Sequence, residues 1–123
     1  MKVELSKTFR FEAAHYLPKV PPEHKCSRLH GHAYSVELIV EGEVDPETGW
    51  LIDFAVLRDA WLPLGRTLDH HCLNDIEGLE NPTSELIAVW IARRLEPQLP
   101  MLSAVVVHES EGSRARYRLP KEE

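Results

Sequence analysis

The stretch VELSKTFRFEAAH at residues 3–15 decides the fold, because its side chains alternate with a period of two. Most odd positions are apolar and the even positions are mainly polar or charged. This alternation is typical of a β-strand with one buried face. The parity predicts that His15 lies on the core side of the sheet with Phe9 and Phe11, provided that no bulge intervenes.

A second strand is predicted from His30 to about Val44, with Ile39 as the one residue that breaks its alternation. His30 and His32 are two residues apart, so both side chains point to the same face. The parity of the first strand aims His15 at that same layer. Three imidazoles are therefore predicted to converge between two neighbouring strands.

The connection over residues 17–29 contains three prolines and is predicted to be long and irregular. A helix capped by Asp53 should follow the second strand and be kinked or ended by Pro63. Another helix should begin at Thr83 or Ser84 and stop before Pro97.

The last part of the chain, residues 102–109 and 114–119, is typical of a closing hairpin. The resulting order, ββααββ, predicts an α+β fold in which two helices cover one face of a four-stranded antiparallel sheet. Such a sheet has two open edges, and exposed edges of this length favour oligomerisation.

Length and composition narrow the class of protein. With 123 residues, 43% hydrophobic and 28% charged, the chain is predicted to form one domain over residues 1–123. A net charge of −6 argues against a nucleic-acid partner. The amino-terminal segment has no continuous apolar stretch, and the longest apolar run, residues 86–92, is too short to span a membrane. Two cysteines are too few for a disulfide framework, so we expect a cytoplasmic protein.

The histidines at positions 15, 30 and 32 are candidate metal ligands. Neutral imidazole is a preferred zinc ligand, and three protein ligands with an open fourth position characterise catalytic zinc sites. A single His-Gly-His pair is also compatible with satisfied core histidines, but the agreement of three parities favours a metal site. No Cys pair at zinc-finger spacing is present, which disfavours a closed structural site.

Three further positions are candidates for chemistry. Cys26 has cationic neighbours that favour the reactive thiolate, although most free cysteines are buried and inert. Asp69 can orient His70 and raise its basicity, although adjacent Asp-His pairs are often solvated. Glu109 ends an apolar strand, where a carboxylate is usually hydrated but can also bind a guanidine-like edge through two parallel hydrogen bonds. Cys72 is assigned to packing.

Five motifs, in this order, resemble the 6-pyruvoyltetrahydropterin synthase family: FEAAH at 11–15, CSRLHGH at 26–32, GEVDPETGWLIDF at 42–54, LDHHCLND at 68–75 and ENPTSE at 80–85. The resemblance covers nearly the whole chain. It implies the tunnelling fold, in which edge strands of neighbouring subunits pair into an oligomeric barrel. Two such trimeric barrels stack as a homohexamer.

The resemblance also implies roles for individual residues. His15, His30 and His32 would hold Zn²⁺, Cys26 would be the catalytic base, and Asp69 and His70 would form a proton relay. Glu109 would anchor the pterin, assisted by Thr83, Ser84 and Glu85. The substrate would be a small pterin triphosphate, 7,8-dihydroneopterin triphosphate; Lys25, Arg28 and Arg114 are candidates to bind its phosphates by charge alone.

Within the family, the three residues between Cys26 and His30 resemble the carboxy branch. That branch forms 6-carboxy-5,6,7,8-tetrahydropterin, with release of acetaldehyde and triphosphate, in the 7-deazaguanine and queuosine pathway. The biopterin-forming 6-pyruvoyl branch, which has a longer insert, remains the alternative, and a non-catalytic zinc-containing pterin-binding module remains open outside the enzyme class. A folate branch with Glu in place of the cysteine is disfavoured. Cys72 departs from the larger side chain expected at its position.

Overall fold

The computed structural model describes residues 1–120 and contains four strands and two helices: β1 Lys2–His15, β2 His30–Glu43, α1 Phe54–Leu68, α2 Ser84–Leu95, β3 Leu102–Ser110 and β4 Ser113–Arg118. The strands form one sheet in the order β1-β2-β3-β4, and each neighbouring pair is antiparallel. The predicted ββααββ order and the α+β class are therefore confirmed.

The pairing of β1 with β2 is continuous, from Lys2 opposite Glu43 to His15 opposite His30. Because no bulge interrupts this ladder, the parity deduced from the sequence holds along its full length. Phe11 and His15 are accordingly buried on one face of the sheet. The register thus places a β1 imidazole directly opposite the first imidazole of β2.

One face of the sheet packs against both helices and forms the main core. Its buried members include Leu38, Leu57, Trp61, Ile91 and Val105. Ile39 breaks the β2 alternation because it belongs to a second, small cluster with Ala104 and Val106, which the strand parity places on the opposite face.

Both helices begin where the sequence predicts, after the caps Asp53 and Thr83. Asp53 accepts a hydrogen bond from the Ala55 amide at 2.9 Å, and the Thr83 hydroxyl accepts one from the Leu86 amide at 3.2 Å. Each bond satisfies one of the amide groups that a helix start leaves without a partner. Within residues 1–120, neither helix is long and apolar enough to cross a membrane.

Pro63 was predicted to kink or end the first helix. It does not end the helix, because α1 continues to Leu68. Pro63 lies on the exposed side of the helix, while Leu64 and Leu68 are buried. Burying each leucine contributes about 1.5–3 kcal/mol, and together they outweigh the roughly 3 kcal/mol that an interior proline costs. Packing against the sheet therefore overrides the local preference.

The chain that follows α1 covers part of the free edge of β1. The His70 amide donates to the Glu12 carbonyl at 2.6 Å, and the Ala14 amide donates to the His71 carbonyl at 3.1 Å. The Asp69 side chain accepts from the Glu12 amide at 2.9 Å. These bonds place the Asp69-His70 pair beside the carboxyl-terminal end of β1.

Candidate metal centre and proton-transfer groups

Three imidazoles meet where β1 ends and β2 begins. One ring nitrogen from each of His15, His30 and His32 lies within 4.8 Å of the others. The Nε2 atoms of His15 and His30 are 3.1 Å apart. Two tetrahedral zinc ligands, each at about 2.0–2.1 Å from the ion, lie about 3.3 Å apart. The spacing therefore fits a group that could hold a metal ion.

Backbone carbonyls lie beside the other ring nitrogens of His15 and His30. His30 Nδ1 donates to the Arg28 carbonyl at 2.7 Å, which leaves the Nε2 lone pair of His30 facing His15. His15, only 1% exposed, has its Nδ1 at 2.9 Å from the Pro82 carbonyl and 3.2 Å from the Tyr34 hydroxyl. Carbonyl partners of this kind fix the orientation of metal-ligating imidazoles.

His32 supplies the clearest sign that the cluster suits a cation. Its Nε2 is buried and has no hydrogen-bond partner within residues 1–120. The Glu109 carboxylate lies 3.4 Å from this nitrogen, close enough for electrostatic attraction but without hydrogen-bond geometry. A buried nitrogen without a partner costs free energy that coordination would recover. The donor set therefore fits a divalent ion such as zinc.

The surroundings favour neutral rings. Burial lowers the pKa of His15, the hydrogen bond to Pro82 opposes this shift, and the neighbouring His30 and His32 lower the pKa further. Burial likewise lowers the pKa of His32, with opposition from Glu109 and a further lowering by His30. Neutral imidazoles keep a lone pair for coordination at neutral pH.

Glu109 lies next to the imidazoles and near the start of α2. Ser84 donates a hydrogen bond from its hydroxyl to Glu109 Oε2 at 3.0 Å. Thr83 uses its hydroxyl to cap the helix, and Glu85 lines a cleft together with Glu109 and Arg114. Three residues were predicted to assist Glu109. Ser84 contacts its carboxylate, Glu85 lines the same cleft, and Thr83 caps α2 instead.

Cys26 lies in a short 3-10 turn, Lys25–Ser27, within the connection between β1 and β2. Its carbonyl accepts from the Leu17 amide at 2.7 Å, and its amide donates to His24 Nδ1 at 3.0 Å. The thiol is partly exposed. Among the described residues, no hydrogen bond joins it to the three imidazoles, so its backbone is held while its sulfur is accessible.

Asp69 and His70 form an ion pair, with 2.9 Å between Asp69 Oδ2 and His70 Nδ1. The hydrogen bond to Asp69 raises the pKa of His70. The pKa of Asp69 is lowered mainly by the hydrogen bond from the Glu12 amide and next by the hydrogen bond with His70. His70 and His32 line the same open cleft. The Asp69-His70 pair therefore lies near the candidate metal centre.

Two residues that support the site escaped the sequence reasoning. Tyr34 contacts His15, and its parity two residues after His32 could have revealed it. Asn74 clamps the backbone of Tyr16, because its carboxamide accepts from the Tyr16 amide at 3.0 Å and donates to the Tyr16 carbonyl at 2.8 Å. These two hydrogen bonds fix the backbone directly after His15. They follow from no periodic pattern in the sequence.

A larger surface cavity lies against α2, between Pro18, Glu77 and Trp90. None of the three imidazoles lines this cavity. The chemistry of the donor atoms, rather than cavity size, therefore locates the candidate site.

The sheet topology and the imidazole cluster define an α+β fold with a candidate metal centre. A family model described as 6-pyruvoyl tetrahydropterin synthase matches residues 4–120, so the chain belongs to that family.

Named relatives within the family differ in activity. A Synechocystis protein named 6-carboxy-5,6,7,8-tetrahydropterin synthase is 46% identical over 121 residues, covering 94% of this chain and 92% of the relative. A Pyrococcus furiosus protein named dihydroneopterin monophosphate aldolase is 38% identical over 100 residues, covering 81% of each. The solved structure of Caenorhabditis elegans 6-pyruvoyl tetrahydropterin synthase matches with a TM-score of 0.90 at 28% identity, covering 98% of this chain and 97% of the other.

Proposed function

We propose that this protein is a zinc-dependent lyase that converts 7,8-dihydroneopterin triphosphate to 6-carboxy-5,6,7,8-tetrahydropterin, with release of acetaldehyde and triphosphate, as a step towards 7-deazaguanine and queuosine compounds. The observation that carries this proposal is the convergence of three imidazoles beside Glu109, with His32 Nε2 left without a partner. The 46% identity to a relative of that name supports the carboxy branch.

His15, His30 and His32 would hold the zinc ion and leave one coordination position for the substrate. When bound, zinc supplies Lewis-acid polarisation of the substrate's side-chain hydroxyls, which makes the neighbouring C–H groups more acidic. The burial of His15 keeps the ring neutral, and the carbonyl partners of His15 and His30 keep both rings aimed inward.

Glu109 would bind the guanidine-like edge of the pterin ring through two parallel hydrogen bonds. The Ser84 hydroxyl fixes one carboxylate oxygen, and the other lies 3.4 Å from His32 Nε2. Glu109 would therefore set the distance between the bound ring and the metal ligands. Glu85 and Arg114 line the cleft through which the ring enters.

Cys26 would act as the base that removes a proton from the substrate side chain, because its thiol is partly exposed. His70 would return protons, since the ion pair with Asp69 raises its pKa and keeps it protonated nearer to neutral pH. Lys25, Arg28 and Arg114 remain candidates for the triphosphate by charge.

A homohexamer built from two trimeric barrels is part of the proposal. β1 and β4 are the outer strands of the sheet, and their outer edges, apart from the end of β1 that residues 69–71 cover, would pair with other copies of the chain. Mass measurement of the purified protein in solution tests this part independently of the chemistry.

The direct test is mass spectrometry of the products formed from 7,8-dihydroneopterin triphosphate. Release of acetaldehyde with a 6-carboxy product supports the proposal. A 6-pyruvoyl product would place the chain with the C. elegans enzyme instead. Turnover of dihydroneopterin monophosphate alone would place it with the P. furiosus aldolase. Absence of any reaction would favour a non-catalytic pterin-binding module.

A further inference from the structure

His15 Nδ1 has two competing neighbours. The Pro82 carbonyl lies 2.9 Å away and the Tyr34 hydroxyl 3.2 Å away. A neutral imidazole carries one N–H donor and one lone-pair acceptor. Nδ1 can therefore donate to Pro82 or accept from Tyr34, but it cannot do both.

In the first tautomer, His15 Nδ1 carries the proton and donates it to Pro82. The Nε2 lone pair of His15 then faces His30 Nε2 at 3.1 Å. His30 Nδ1 already donates to the Arg28 carbonyl, so His30 Nε2 also presents a lone pair. Two lone pairs this close repel unless a cation lies between them, and a metal ligand needs this tautomer.

In the second tautomer, His15 Nε2 carries the proton and donates it to His30 Nε2. Nδ1 of His15 then accepts from the Tyr34 hydroxyl, which completes a chain from Tyr34 through both imidazoles to the Arg28 carbonyl. Tyr34 is 0% exposed, and within residues 1–120 its hydroxyl has no hydrogen-bond partner other than His15. A buried phenol usually keeps such a partner.

Tyr34 is suited to this role because its hydroxyl is buried beside His15 Nδ1. A phenol carries its proton at neutral pH, since its ordinary pKa is about 10. The phenol therefore remains an O–H group that needs an acceptor. The second tautomer of His15 provides that acceptor and the first does not.

We propose that Tyr34 is a positioning residue that holds His15 in the Nε2–H tautomer when the protein carries no metal, so that loading the site requires His15 to exchange tautomers. One proton leaves Nε2 and one is taken up at Nδ1, where the Pro82 carbonyl accepts its hydrogen bond. The ring stays neutral throughout. This proposal rests on the metal site of the proposed function.

The experiment uses the full-length protein with ¹⁵N-labelled histidine, stripped of metal and then loaded with zinc. Long-range ¹H–¹⁵N spectra distinguish protonated from unprotonated ring nitrogens. We expect His15 to be Nε2–H without metal and Nδ1–H with zinc. A His15 that is Nδ1–H in the metal-free protein would overturn the proposal, and this measurement needs no variant.

Tyr34→Phe removes only the hydroxyl. In this variant we expect metal-free His15 to shift towards the Nδ1–H tautomer. Because the lost hydrogen bond favours only the metal-free form, zinc should bind roughly 2- to 10-fold more tightly. Unchanged or weaker zinc binding would contradict the proposal, since a purely structural tyrosine would not tighten it.

Tyr117→Phe is the matched control, because Tyr117 lies on β4 opposite Val105 and its hydroxyl has no hydrogen bond within the described chain. It should leave both the tautomer and the zinc affinity unchanged. Failure of the wild-type protein to bind zinc would contradict the metal in the proposed function. Zinc binding with an unaltered His15 tautomer would instead overturn the role of Tyr34 alone.

Discussion

The imidazole cluster and the proposed proton-transfer groups are held in opposite ways. His15 is 1% exposed and is fixed by a continuous strand register. The side chain of His70, in contrast, is 75% exposed, and Cys26 lies on a connection between strands. The sheet itself therefore positions the candidate metal ligands, whereas the proposed proton-transfer groups depend on loops. The two regions should therefore respond differently to substitution.

Loss of the thiol tests the loop region most strongly. Cys26→Ala should reduce kcat by about 100- to 10,000-fold, the contribution typical of a positioned base. Zinc content should stay near the wild-type value, because the strands that carry the imidazoles are unchanged. Steady-state kinetics and elemental analysis of the same sample provide the measurement. Cys72→Ala is the matched control and should keep its activity; retained activity in Cys26→Ala would remove the thiol from the chemistry.

Loss of one imidazole tests the sheet region. His32→Ala should weaken zinc binding by more than about 100-fold, since even residues that only support a metal ligand contribute 10- to 100-fold. Competition with a chromophoric chelator measures the affinity. His108→Ala removes an imidazole from the neighbouring strand β3 and should bind zinc normally. Wild-type zinc affinity in His32→Ala would refute the ligand set.

Neutralising one carboxylate separates the charge of the Asp69-His70 pair from its position. Asp69→Asn can still accept from the Glu12 amide, but it loses the charge that raises the pKa of His70. The pKa of His70 should fall towards its ordinary value of 6.5, so the alkaline limb of the pH–rate profile should move to lower pH. NMR titration of His70 measures the shift, and Asp75→Asn should leave that titration unaltered.

The same pair gives a signed dependence of stability on pH. The raised pKa of His70 contributes stability below pH 6.5 that is lost as the pH rises through the folded-state value. The lowered pKa of Asp69 contributes stability above pH 3.8 that is lost as the pH falls through its folded-state value. The contribution should therefore be largest between these limits and disappear in Asp69→Asn. An identical difference between the two proteins at every pH would contradict the pairing.

Of the changes considered, removal of the metal should have the smallest effect, because it should leave the secondary structure nearly intact. The main core between the sheet and the helices is apolar, so a chelator should leave the far-ultraviolet circular dichroism spectrum nearly unchanged. The free energy of unfolding should fall only by the binding contribution, about 2.7 kcal/mol when free zinc is 100 times its Kd. Cooperative unfolding on chelation, reversed by added zinc, would identify the metal as structural and favour the non-catalytic module.

The sequence predicted the parts of the fold that depend on local periodicity. Strand parity correctly placed His15 on the core side of the sheet, and the side chains indicated the cap Asp53 and a second helix that begins at Thr83 or Ser84. Pro63 misled because the burial of leucines beyond it depends on tertiary packing, which no local preference contains. Ile39, which broke the alternation, makes sense only once the opposite face of the sheet is seen.

The candidate site was less accessible to sequence reasoning. The convergence of imidazoles follows from parity, but the carbonyl of Pro82 reaches His15 from 67 residues away. His70 adopts a left-handed backbone with φ of 59°, a conformation that histidine visits uncommonly and that sequence does not announce. Such long-range contacts and unusual turns depend on the assembled chain, so the Pro82 contact and the His70 backbone conformation appear only in the structure.

The segment that shields the end of β1 also limits how a neighbouring chain can attach. The outward-facing amides of Glu12 and Ala14 already donate hydrogen bonds to Asp69 and His71. A strand from another chain would therefore have to stop before Glu12. In the oligomer that we propose, only the part of β1 before Glu12 would pair with the six-residue β4 of another copy. In the proposed oligomer, the turn at residues 69–71 would therefore limit how far along β1 a neighbouring strand could extend.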